Sequence, residues 1–152
     1  MKPAQQPGPN VYSANECDSN ADTCCLGSNF VILSYTNRSA DVYPYDKSYE
    51  PVANVPIVSG ATAYDCPTTN NTYILVFNES LYYGTQLDHS LWNPNQLREN
   101  GFPCWDNPYD ATRELEVDLG DGIKLPLTSR GTKIMCTTRT PTDSELRTCL
   151  HV

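Results

Sequence analysis

The stretch Leu115-Glu116-Val117-Asp118-Leu119-Gly120-Asp121-Gly122-Ile123-Lys124-Leu125-Pro126-Leu127 decides the fold class. Its apolar residues occupy every second position on both sides of Gly120-Asp121-Gly122, the period of a strand that buries one face. Glycine and aspartate between the two runs supply the reversal of the chain. The segment reads as an antiparallel hairpin, with Leu115 to Leu119 facing Ile123 to Leu127.

Upstream, the same reasoning gives more strands. Asn29 to Tyr35 is an apolar run of strand length, followed by a polar turn at Thr36-Asn37-Arg38-Ser39 and a possible partner, Ala40 to Tyr43, so a second hairpin is expected here. Asp46 to Pro56 reads as an exposed excursion. Ile57 to Tyr64 is a strand interrupted by Gly60, and Thr72 to Phe77 a buried strand beyond the turn cluster Pro67 to Asn71, and the two are expected to pair. Asn93-Pro94-Asn95-Gln96-Leu97-Arg98-Glu99-Asn100-Gly101 places Asn at the cap, Pro at the first helical position and Gly past the end, which predicts one short helix. A strand at Lys133 to Thr138 and a capped turn at Thr140-Pro141-Thr142-Asp143 follow.

Twelve prolines and ten tyrosines, with abundant Thr, Asn and Ser, favour strands and turns throughout, so the chain is expected to be all-β. At 152 residues it fits one domain. The prolines and glycine of MKPAQQPGPN mark residues 1–15 as an extended tail and 16–152 as the domain. A net charge of -8 argues against nucleic acid as a direct partner. No apolar run reaches the roughly 20 residues that cross a bilayer, so no membrane partner is expected.

The seven cysteines form no CxxC pair, and their odd number leaves at least one unpaired within the chain. In an extracellular setting Cys17, Cys66, Cys104 and Cys136 are the candidates for disulfides, with the pairing left open. Sequons at Asn37, Asn70 and Asn78 are candidate glycosylation sites there. His89 and His151 lie too far apart to suggest a metal centre or a Cys-His nucleophile, and no cofactor is expected. Trp92 and Trp105 read as core or interface residues, and of the adjacent Cys24 and Cys25 at most one faces the core.

The chemistry concentrates in Glu16-Cys17-Asp18-Ser19-Asn20-Ala21-Asp22-Thr23. Asp-Ser-x-Ala resembles the signature of aspartic proteases, in which a strand runs into a tight turn and presents a carboxylate. Further downstream, Tyr49-Glu50-Pro51-Val52 and Asn93-Pro94-Asn95-Gln96 stand in the order found in a branch of copia-type LTR retrotransposon Pol proteins carrying Asp-[Ser/Asn]-His-Ala-Asp-Thr-Cys. Over residues 16–152 the chain is similar to the retropepsin-like aspartic protease domain of that group.

The resemblance implies a closed β barrel with one short helix, a flap-like hairpin and a C-terminal β-hairpin extension. It makes Asp18 the catalytic carboxylate and Ser19 the hydroxyl that braces its turn, with Asp22 as second choice. One chain carries one such motif, so the implied enzyme is a homodimer that processes a Gag-Pol polypeptide in cytoplasmic retroelement particles. Asn20 stands where most of these proteases have Gly. That departure, with the cysteines and sequons, motivates a second reading: a catalytically inactive descendant, secreted and glycosylated, serving as a structural protein of a filament or other homo-assembly.

Overall fold

The computed structural model describes residues 12–18, 23–42, 52–84, 87, 89–131 and 133–152. Within them the hairpin folds as its alternation demands, with β8 (Glu116–Gly120) antiparallel to β9 (Ile123–Pro126) and Val117 opposite Leu125. Gly120, Asp121 and Gly122 all take positive φ, at 89°, 52° and 78°, which explains the residue types chosen for the turn. With β7 (Cys104–Trp105) these strands form a small sheet in the order β7-β8-β9.

The remaining strands build one large sheet. They are β1 (Tyr12–Cys17), β2 (Cys25–Gly27), β3 (Val31–Val42), β4 (Val52–Asp65), β5 (Thr72–Gly84), β6 (Ser90–Trp92), β10 (Thr128–Arg130), β11 (Lys133–Arg139) and β12 (Leu150–His151). The order is β10-β11-β1-β6-β2-β5-β4-β3, with β12 beside β5. A further pairing, Arg139 with Ala63, links β11 back to β4, so the path through β11, β1, β6, β2, β5 and β4 returns on itself. The protein is all-β apart from two six-residue helices among the described residues, α1 (Pro94–Glu99) and α2 (Asp143–Thr148). No helix among these residues is long and apolar enough to cross a membrane.

Several expectations are corrected. Residues 31–42 form one continuous strand against β4, not a hairpin of their own. Asn37, at φ 63°, makes a bulge where the register shifts between Tyr35 and Arg38, and the Thr36 hydroxyl donates to the Ile57 carbonyl at 2.7 Å across it. The excursion expected at 46–56 gives way to strand at Val52. β1 begins at Tyr12, inside the stretch 1–15 taken as tail, and pairs along its whole length with β11. The capped turn at Thr142 continues into α2, a second helix, because Thr142 and Glu145 complete a capping box.

Nor is the C-terminal hairpin an appendage. Val117, Ile123 and Leu125 belong to the same apolar cluster as Leu26, Phe30 and Trp92, and the chain beyond the hairpin supplies β11, the neighbour of β1. Half-buried Phe77 packs against this core, edge-on to Phe30 at 5.2 Å and tilted against Trp92 at 4.9 Å between ring centres. A Cβ at Gly60 of β4 would lie 2.5 Å from the tip of the Leu26 side chain, which would have to shift to admit it.

Candidate active site

The loop that carries the aspartic motif leaves β1 and returns as β2, yet these two strands do not pair with each other. β6 is inserted between them, parallel to β1 and antiparallel to β2. Asp18 is the first residue beyond β1, half-buried, and its N–H donates to the Trp92 carbonyl at the end of β6 at 2.9 Å. The loop's other end is tied to the same segment. Cys24 N–H donates to Gln96 Oε1 at 3.0 Å, the Thr23 hydroxyl lies 3.3 Å from that oxygen, and Asn93 N–H donates to Cys24 Sγ at 3.4 Å.

Two motifs more than seventy residues apart in sequence are thus brought into direct contact. The second motif has a local reason for its shape: the Asn93 side chain accepts from the N–H groups of Asn95 and Gln96, and Pro94 opens α1 without needing a donor. This fixes Gln96, whose amide oxygen then reaches back to the loop. Ser19 and Asp22 lie outside the described residues, as do Tyr49, Glu50 and Pro51 of the third motif.

Within the strands that flank the loop lies a buried polar network that the sequence did not announce. Asn15, Asn29, Thr62, Ser90 and Thr138 are all buried. Asn29 Nδ2 donates to Asn15 Oδ1 at 2.7 Å and to Thr138 Oγ1 at 2.9 Å, and Ser90 Oγ donates to Asn29 Oδ1 at 2.7 Å. Asn15 Nδ2 donates to Thr138 Oγ1 at 2.9 Å, and Gly27 N–H donates to Ser90 Oγ at 2.8 Å. The network joins β1, β2, β4, β6 and β11, so the strands around the loop are cross-linked by side chains as well as by ladder bonds. Each residue type is common in turns, and only the burial reveals the role.

Other named residues fall into place around this centre. His89 Nε2 lies 3.0 Å from Glu16 Oε2, a half-exposed pair at the flank of β1. His151 is exposed and its Nε2 lies 2.9 Å from the Leu146 carbonyl. Asn37, Asn70 and Asn78 are exposed. All seven cysteines are free; Cys24 is buried and Cys25 half-buried, so one of the adjacent pair faces the core. Burial pushes the Cys24 thiol up to about 11, which keeps it neutral and makes it a poor nucleophile beside the loop. No group of three or more His, Cys, Asp or Glu among the described residues is placed to hold a metal ion.

A cavity of about 480 Å³ adjoins the site, lined by apolar residues such as Phe77, Trp92 and Leu97 and by polar ones including Asn78, Gln96 and Asn100. Trp92 Nε1, buried there, has no hydrogen-bond partner among the described residues.

Away from the site, Arg139 pairs with two carboxylates. Its buried guanidinium grips Asp65 at 2.8 and 2.9 Å and Glu145 at 2.7 and 2.6 Å, fastening α2 to β4 and β11. Set against known proteins, the chain matches no family model, no curated protein and no solved structure.

Proposed function

We propose that this chain is a retropepsin-like aspartic endopeptidase domain of the copia type that acts as a homodimer on a retroelement polypeptide, with Asp18 as its catalytic carboxylate. The observation that carries the reading is the seat of Asp18. A strand runs directly into the residue, its N–H is held by the Trp92 carbonyl, and the loop it opens is tied at the far end to Gln96. A strand that ends at a half-buried carboxylate suits the motif Asp18-Ser19, and the contact joins two of the three motifs on which the resemblance rests.

Two features of the fold support the same reading. The ring of pairings closed by Arg139 and Ala63 suits a closed β barrel, and the long β3–β4 hairpin, whose connection falls at 43–51, suits a flap. In a dimer the two copies of Asp18 would share one proton, because like charges about 3 Å apart cannot both ionise. The ionised carboxylate would activate a water and the protonated one would polarise the scissile carbonyl.

The test is peptide cleavage by Asp18→Asn and Asp22→Asn beside the wild type. The reading expects Asp18→Asn to abolish cleavage with the fold intact, Asp22→Asn to retain it, and wild-type activity to fall on dilution as the dimer dissociates. Cleavage that survives Asp18→Asn and is lost in Asp22→Asn would move the catalytic role to Asp22. A folded wild type silent on every peptide, with an assembly independent of Asp18, would favour the inert structural descendant.

A further inference from the structure

The cavity of about 480 Å³ is walled by large apolar side chains that the fold leaves only half-covered: Phe77 from β5, Leu97 from α1, Phe102 just beyond it and Leu119 from β8. Fully buried Trp92 completes the wall, with its ring centre 4.9 Å from that of Phe77. The volume is that of a small-molecule pocket, in which a mostly apolar lining holds the body of a ligand and a few polar groups fix its orientation.

Charge narrows the occupant first. Among the described residues no Asp, Glu, Lys or Arg side chain lines the cavity, and the Nε2 of His151 is engaged with the Leu146 carbonyl at 2.9 Å. A charged ligand would leave water here without a counter-charge, so the cavity suits a neutral one. Hydrogen bonding narrows it further. Trp92 Nε1 is buried with no partner among the described residues, an indole N–H can only donate, and buried donors are as a rule satisfied. Beside it, Gln96 Oε1 already accepts from the Cys24 N–H and the Thr23 hydroxyl, which leaves the donors of that amide for a ligand. What the wall lacks is an acceptor oxygen.

The strand edge decides between a compact molecule and an extended peptide. A peptide that adds to a sheet needs free ladder groups, and along this wall β12 has taken those of β5: Val152 N–H donates to the Ile74 carbonyl at 2.7 Å, and Val76 N–H donates to the Val152 carbonyl at 3.0 Å. The cavity therefore offers side chains rather than a ladder. We infer that it binds one small, neutral, aromatic molecule carrying a carbonyl oxygen, with its rings against Phe77, Phe102 and Leu119 and its oxygen accepting from Trp92 Nε1–H. The inference needs only the cavity and the unpaired indole and stands whether or not the chain cleaves peptides.

The test is a titration of the isotope-labelled full chain with benzophenone, followed by the indole N–H signals in NMR spectra, beside a titration with diphenylmethane, which has the same rings and no oxygen. The chain has two tryptophans, and Trp105→Phe assigns their signals. Benzophenone should move the Trp92 signal downfield to saturation and bind roughly five- to tenfold more tightly than diphenylmethane, the factor expected for one hydrogen bond. Trp92→Phe should bind the two probes alike. Leu119→Trp, which fills the cavity from a half-buried position on β8, should keep the fold and bind neither. Equal affinity for the two probes in the wild type, a response confined to Trp105, or undiminished binding in Leu119→Trp would overturn the inference. So would a Trp92 signal that shifts when the protein alone is diluted, since a second copy would then be what covers the cavity.

Discussion

The β8–β9 hairpin and the β1–β6–β2 assembly are both strand structures, and they are specified in opposite ways. In the hairpin, partners are neighbours in sequence and the buried face is apolar at every second residue, with Val117, Ile123 and Leu125 inside. In the assembly, β1 finds β11 and β6 across the length of the chain, and Asn15, Ser90 and Thr138 are buried beside the apolar Leu26 and Trp92. Hydrophobic period specifies the first. Satisfied buried polar groups specify the second, where one missing partner leaves several others unpaired.

The comparison breaks most visibly at Asn29. Asn29→Ala removes the donor contacts to Ser13, Asn15 and Thr138 and the acceptor for Ser90 in a buried setting, and about 3 kcal/mol of stability should be lost in denaturant unfolding. A loss under ~1 kcal/mol would show that the polar layer is not what holds the loop's strands. Next in size is Arg139→Met, expected to cost about 2–3 kcal/mol, a figure already discounted for the partial exposure of Asp65 and Glu145.

That contact also has a pH signature. The Arg139 guanidinium holds the Asp65 carboxyl below its ordinary value and Glu145 down at about 2. Depressed carboxyls stabilise the fold above their unfolded values of roughly 4, and the contribution fades as pH falls toward about 2. Melting curves of wild type and Arg139→Met should differ above about pH 4 and converge near pH 2. A constant difference across that range would reject the ion pairs as the cause.

Smaller effects belong to local devices. Asn93→Ala removes the cap of α1 and should cost about 1 kcal/mol; because Gln96 is placed by that cap, cleavage should fall more than stability does. Gly122→Ala forces a Cβ into positive φ in the hairpin turn and should cost about 1 kcal/mol, with no effect on cleavage measured in the same samples. Lys124→Ala, at exposed pairs with Glu116 and Asp118, should leave the melting temperature unchanged.

Legibility followed the same division. The hairpin, the α1 cap and the pairing of β4 with β5 could be read because their signals are local. β3 was misread as a hairpin because Thr36-Asn37-Arg38-Ser39 has turn chemistry, which here makes a bulge whose Thr36 hydroxyl bonds across to Ile57. β1 was cut short because Asn15 looks like a tail residue until Thr138, far along the chain, is placed beside it. Asp18 and Asn93 to Gln96 were each visible as motifs, but their contact needed the insertion of β6 between β1 and β2. The Arg139 grip on Asp65 and Glu145 left no pattern at all, since three isolated charges carry no period.

The most direct test of the account is a structure of the assembled protein under conditions where it cleaves peptide. The account predicts a two-fold dimer with the Asp18 carboxylates of the two copies about 3 Å apart, each on a loop held by its own Trp92 carbonyl. Cleavage by a monomer, or a dimer that holds the two Asp18 side chains far from the axis, would contradict it.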